Sequence, residues 1–277
     1  MTKINDINVL ITGMGPYPDG DGGHIDVNTS HLITTLLPKT LDPNTPLNPS
    51  PTRINIITLP DPVKTEYKYV REFCKDLHTK HAEDVDLFIH LGEARGWDWL
   101  TIERVAYKQG MSSTWWGPYY GPQEYYLWKD DKDLTVKDIG PCPWDGVPMG
   151  LQSFLNPDRV ADGANTILKT LYQFGKPGAS VATVGNEDDN VPMPKADATE
   201  ASLPINIKPH DEGGPMMCGF INYESLANRY VRKLKPNVLF CHIPGEADAK
   251  NLKRTGDGIL AIVVAAAAEV LRLDLMN

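Results

Sequence analysis

Residues 53–96 read RINIITLPDPVKTEYKYVREFCKDLHTKHAEDVDLFIHLGEARG, and the order of patterns in this stretch decides the fold class. Arg53 to Leu59 is an Ile-rich run of strand length. Val85 to Leu91 is a second apolar run, ending in the loop Gly92 to Gly96. Between them, from Thr65 to His81, apolar residues recur at Tyr69, Val70, Phe73, Cys74 and Leu77, the spacing of an amphipathic helix. Strand, helix and strand in succession make a parallel crossover unit, and in such sheets ligands bind beyond the carboxyl ends of the strands.

The same alternation extends outward. Ile4 to Thr12 reads as a buried strand stopping at Gly13, and Asn28 can cap a short helix through Leu37. Downstream, the pattern predicts a helix over 157–174 with Asn156 as its cap and a short strand at Ile205 to Lys208. A helix from Pro215 to Leu234, a strand at Val238 to Ile243 and a last helix from about Asp257 to Leu273 complete the chain. This is one α/β domain over residues 1–277 with loop inserts at about 108–150 and 175–204, the second holding at most a short strand at 179–184. The first insert gathers Trp115, Trp116, Tyr119, Tyr120, Tyr125, Tyr126 and Trp128. It is expected to form either a lid or wall over the site or a satellite core.

Composition excludes several classes of function. A net charge of -9 and a pI near 5.2, without a basic run, argue against a nucleic-acid partner. The longest apolar run, Ile259 to Ala268, is ten residues and ends at Glu269, well short of the roughly 20 needed to cross a bilayer. With no basic-then-apolar leader pattern at its start, the chain is expected to be cytoplasmic. Its cysteines, Cys74, Cys142, Cys218 and Cys241, lack the spacing of a zinc site and are too few for a disulfide scaffold. Each is therefore a small buried hydrophobe or a reactive thiol.

Three residues stand where chemistry is commonly placed. Cys218 falls in the first turn of the helix after Gly213-Gly214-Pro215, where unpaired N–H groups and the helix dipole favour a thiolate; a buried helix cysteine is the competing reading. His242 ends the strand Val238 to Ile243 and could serve as base to a thiol, although a strand-end histidine can equally be structural. Glu103, in Leu100-Thr-Ile-Glu-Arg-Val-Ala106, could orient that imidazole or simply pair with a neighbouring arginine.

Four separated segments, Val9 to Tyr17 with Asn28-Thr-Ser30, Leu91 to Ala106, Gly214 to Cys218 with Tyr223, and Phe240 to Pro244, resemble pyroglutamyl peptidase I. The step from Cys218 to His242 fits as well. The resemblance implies a three-layer α/β/α sandwich of the kind shared with nucleoside phosphorylases and some hydrolases. It implies Cys218 as nucleophile, His242 as general base and Glu103 as the group that orients it. Met14 and Tyr17 would form the apolar pocket for a pyrrolidone ring, with Glu93 and Arg95 beside the substrate. The implied substrate is an N-terminally blocked peptide, and no metal or organic cofactor is required. Glu93 stands where the family has Gln, and Gly219 where it has Asn. An ionised Glu93 beside a developing oxyanion would be unfavourable, so the carboxyl is expected to be protonated or turned away. The family's additional arginine has Arg95 and Arg104 as its candidates. An inactive binding protein that uses the aromatic insert, or an amidase of other specificity, remain the alternative readings.

Overall fold

The computed structural model describes residues 6–18, 23–113, 123–173 and 203–275. Six strands carry the architecture: β1 (Ile7–Gly13), β2 (Ile54–Thr58), β3 (Leu87–Ala94), β4 (Trp99–Tyr107), β5 (Asn206–Glu212) and β6 (Val238–Pro244). Five helices accompany them: α1 (Thr29–Leu36), α2 (Tyr67–Lys80), α3 (Pro157–Gln173), α4 (Met217–Val231) and α5 (Ala249–Asp274). The main sheet runs β6-β3-β1-β2, all parallel, and a two-residue antiparallel edge at Thr40–Leu41 follows β2. Val9 lies between Ile56 and Leu87, and Ile11 between Thr58 and Ile89. These runs are buried on both faces, which is why they are almost continuously apolar.

Alternation along each strand divides the core into two layers. Val9, Ile11, Ile89 and Leu91 pack with α1, α3 and α5, whereas Leu10 and Phe88 face the side of α2 and α4. The result is a mixed α/β sandwich with helices on both faces of a mostly parallel sheet, as the sequence predicts. Each fully buried Ile or Leu of these strands contributes on the order of 1.5–3 kcal/mol. A smaller sheet continues past β6: β4 pairs β5 in parallel and takes Gly150–Leu151 antiparallel on its other side.

Several boundaries differ from the sequence reading. The strand expected to stop at Leu91 runs on to Ala94, so Gly92 and Glu93 are sheet residues opposite His242 and Ile243 rather than loop. Residues 99–107 form a strand, β4, which the apolar pattern does not announce. The last helix starts at Ala249, two turns ahead of expectation, where Asp248 accepts hydrogen bonds from the N–H groups of Lys250 and Asn251. The region 123–151 is partly satellite core, with Tyr125 and Tyr126 buried against Tyr67 and Phe220. Trp115, Trp116, Tyr119 and Tyr120, and the short strand expected at 179–184, lie outside the described residues. Among the described residues no helix is long and apolar enough to cross a membrane, and none of their His, Cys, Asp and Glu groups is arranged to hold a metal ion.

Candidate active site

The carboxyl ends of β1, β3 and β6 and the start of α4 converge on a cavity of about 750 Å³. Cys218 is the second residue of α4, whose N-cap, Met216, makes no side-chain cap, so the side-chain acceptor that usually occupies the first-turn N–H groups is missing. The helix begins two residues later than the sequence suggests, yet Cys218 stays in its first turn. Close packing explains the glycines here. A Cβ on Gly92 would stand 2.7 Å from Cys218 Sγ, so only glycine lets the thiol sit over β3. A Cβ on Gly219 would approach the Gly214 carbonyl oxygen to 1.9 Å, so the loop before α4 leaves no room for a side chain there.

His242 is buried at the end of β6, opposite Gly92. Its Nδ1 lies 2.8 Å from Glu103 Oε1, and the ring lines the same cavity as Cys218, close enough for the two to interact electrostatically. The Thr101 hydroxyl donates to the same Glu103 oxygen at 2.6 Å and accepts the backbone N–H of His242 at 3.3 Å. Thr101 and Glu103 share a face of β4, two residues apart. Burial pushes the His242 pKa down, but the Cys218 thiolate and the Glu103 carboxylate outweigh it and carry it up to about 10. For Glu103, burial pushes the pKa up, yet hydrogen bonds from His210 and His242 leave it below the usual carboxylate range.

The structure thus brings together all three sequence candidates for chemistry. Met14 and Tyr17 also line the cavity, Met14 buried and Tyr17 partly exposed. Glu93 also lines the cavity, where its carboxyl is held by its own partners. Its Oε2 accepts the N–H of Thr29, at the start of α1, at 2.7 Å and the Thr29 hydroxyl at 2.9 Å. Its Oε1 takes Arg95 Nε at 2.8 Å and the Tyr17 hydroxyl at 3.1 Å. Arg104 pairs instead with Asp158 of α3 and is not part of the site. Cys74 and Cys241 are buried packing residues, and burial pushes both thiols up.

Two participants, His210 and Trp97, escape sequence reasoning. His210, on β5, places Nδ1 at 2.7 Å from Glu103 Oε2. Trp97 sets its ring against both His210 and His242, with centroids at 5.4 and 5.6 Å. Trp128, with Lys129 and Asp130, lines the same cavity, so the aromatic insert does reach the site. The signal that could have found His210 is its position eight residues before Cys218, in a strand whose partner carries Glu103.

No family model matches the sequence, and no curated protein does. Solved structures do resemble it. A mutant pyrrolidone carboxyl peptidase from Pyrococcus furiosus superposes with a TM-score of 0.59 at 14% identity, over 95% of this chain and 100% of that one. Pyroglutamyl peptidase I from Bacillus amyloliquefaciens gives 0.58 at 18% identity, over 96% and 98%. Pyrrolidone carboxyl peptidase from Thermococcus litoralis gives 0.57 at 14% identity, over 98% and 96%. At such identities the likeness is one of fold.

Proposed function

We propose that this protein is a cysteine-type peptidase that removes an N-terminal pyroglutamyl residue from peptides through an acyl-enzyme. The observation that carries the reading is the gathering of Cys218 at the start of α4, His242 on β6 and Glu103 on β4, beside a pocket walled by Met14 and Tyr17. The thiolate of Cys218 attacks the pyroglutamyl carbonyl carbon, and the oxyanion forms near the uncapped N–H groups at the start of α4. His242 holds the thiol proton as imidazolium, with Glu103 as its counter-charge, and delivers it to the leaving amine as the C–N bond breaks. Water, deprotonated by His242, then adds to the thioester; free pyroglutamate leaves and Cys218 is restored.

The fold likeness to pyroglutamyl peptidases supports the reading, as do the four matching sequence segments. Glu93, paired with Arg95 where the family carries an amide, favours a second reading, an amidase of other specificity with the same nucleophile. Hydrolysis of a fluorogenic pyroglutamyl amide by purified protein tests both. Turnover that disappears in Cys218→Ala is expected. Absence of turnover, with Cys218 still rapidly alkylated, would transfer the argument to the second reading.

A further inference from the structure

We infer that His210 is a positioning residue for the Glu103–His242 pair and that its own protonation sets the acid limb of the reaction. The inference rests on the proposed role of His242 as base. In the parallel pairing of β4 with β5, His210 stands directly opposite Glu103. Each oxygen of the buried Glu103 carboxylate then has its own imidazole: Oε1 faces His242 Nδ1 at 2.8 Å and Oε2 faces His210 Nδ1 at 2.7 Å. Held at both oxygens, the carboxylate cannot rotate away from His242.

The tautomer follows from a second contact. His210 Nδ1 also lies 2.9 Å from the backbone carbonyl of Glu212, which can only accept. Nδ1 therefore carries a proton in both charge states, and Nε2 is the nitrogen that titrates. Nε2 has no hydrogen-bond partner among the described residues, and the side chain is about one-third exposed on the cavity wall.

Charge then couples the two histidines. With His210 neutral, the single negative charge of Glu103 serves the His242 imidazolium alone. With His210 protonated, two imidazoliums share one carboxylate and repel each other. The groups facing His210 are Glu103 from β4, His242 from β6 and the uncharged Trp97 from the turn before β4. On its own strand Asp211 is fully exposed, and Glu212 has its pKa pushed up to about 7 by burial and by Glu103. The hydrogen bond to Glu103 raises the His210 pKa above its ordinary 6.5 against the opposing effect of burial, so the switch lies above the ordinary histidine value. Below it, the imidazolium at His242 and the thiolate it supports are both weakened.

The test compares His210→Ala and His210→Asn with the wild type, by pyroglutamyl amide turnover and by the rate of iodoacetamide reaction at Cys218, each against pH. Asn keeps a donor for Glu103 without a titrating charge. His210→Ala should lose about 10- to 100-fold in kcat with KM unchanged, the equivalent of one hydrogen bond to a charged group. His210→Asn should recover most of that loss and should keep its activity and its alkylation rate to lower pH than the wild type. Superimposable alkylation profiles for wild type and His210→Asn would overturn the inference, whatever the turnover. Separated alkylation profiles without any pyroglutamyl turnover would sustain it and remove the substrate reading instead. An imidazole titration of the wild-type protein by NMR needs no variant: His210 titrating below the ordinary histidine value would also overturn it.

Discussion

Replacing Glu103 with glutamine examines the site at its most loaded point. The carboxylate accepts three hydrogen bonds, from the Thr101 hydroxyl and from two imidazole N–H groups. Glutamine has one acceptor oxygen, so whichever way the amide turns, its NH2 meets an Nδ1–H, donor against donor. If the oxygen faces His242, the hydrogen bond there survives but the counter-charge is gone. A charge-assisted hydrogen bond is worth about 1.5–3 kcal/mol, and the ion pair at an effective dielectric near 20 about 4 kcal/mol, with part of each retained by the amide. A net loss on the order of 3–4 kcal/mol lowers kcat/KM by about 10²- to 10³-fold, less than Cys218→Ala should. The raised pKa of His242 should fall with it, so Cys218 alkylation at neutral pH should slow in parallel. The assays are amide turnover and timed iodoacetamide labelling on a variant whose circular dichroism matches wild type. A Glu103→Gln protein within threefold of wild type in both would refute the reasoning, because no other described carboxylate contacts His242.

Iodoacetamide at neutral pH should label Cys218 before Cys142, whose half-buried thiol is pushed up by desolvation, and well before the buried Cys74 and Cys241; peptide mapping that finds Cys142 modified first would reverse the assignment. Glu93→Gln removes the counter-charge of Arg95 and weakens the link to the start of α1, so it should cost about 1–3 kcal/mol in urea unfolding and raise KM for the amide. An unchanged midpoint with unchanged KM would make that cluster incidental. His90 and His78, joined through the Ser225 hydroxyl beneath α4, are kept neutral by burial, which lowers their pKa values to about 3 and about 2. Because the unfolded chain binds these protons first, their contribution is complete above the ordinary histidine pKa of about 6.5 and is lost as pH falls, at about 2 kcal/mol each between pH 7 and 5. His90→Gln should flatten the dependence of stability on pH over that interval, and an unaltered slope would show that His90 is protonated in the fold.

Much of the fold is legible in local sequence patterns. Val85 to Leu91 and Val238 to Ile243 read as strands because they are buried on both faces and so are mostly apolar. Cys218 and His242 stand out because each lies where a regular element begins or ends. By contrast, β4 is hidden by its own role. Leu100 and Ile102 bury one face, while Thr101 and Glu103 occupy the other, also buried, so polar residues stand where the strand pattern calls for apolar ones. Strand β5 is legible only over its first residues, at 205–208; its continuation to Glu212 is hidden by Pro209, a residue tolerated there because β5 is the edge of its sheet.

The amino-acid order by itself determines the α/β alternation, the helix-start cysteine and the strand-end histidine, since these depend on local periodicity, on capping and on Gly/Pro punctuation. Only tertiary structure decides that Glu103 meets His242 across 139 positions of chain and that His210 takes its second oxygen. It also decides that Glu93 is spent on Thr29 and Arg95. Those pairings follow from strand order and register, which are settled by how the whole chain buries its apolar faces, and no local pattern encodes them.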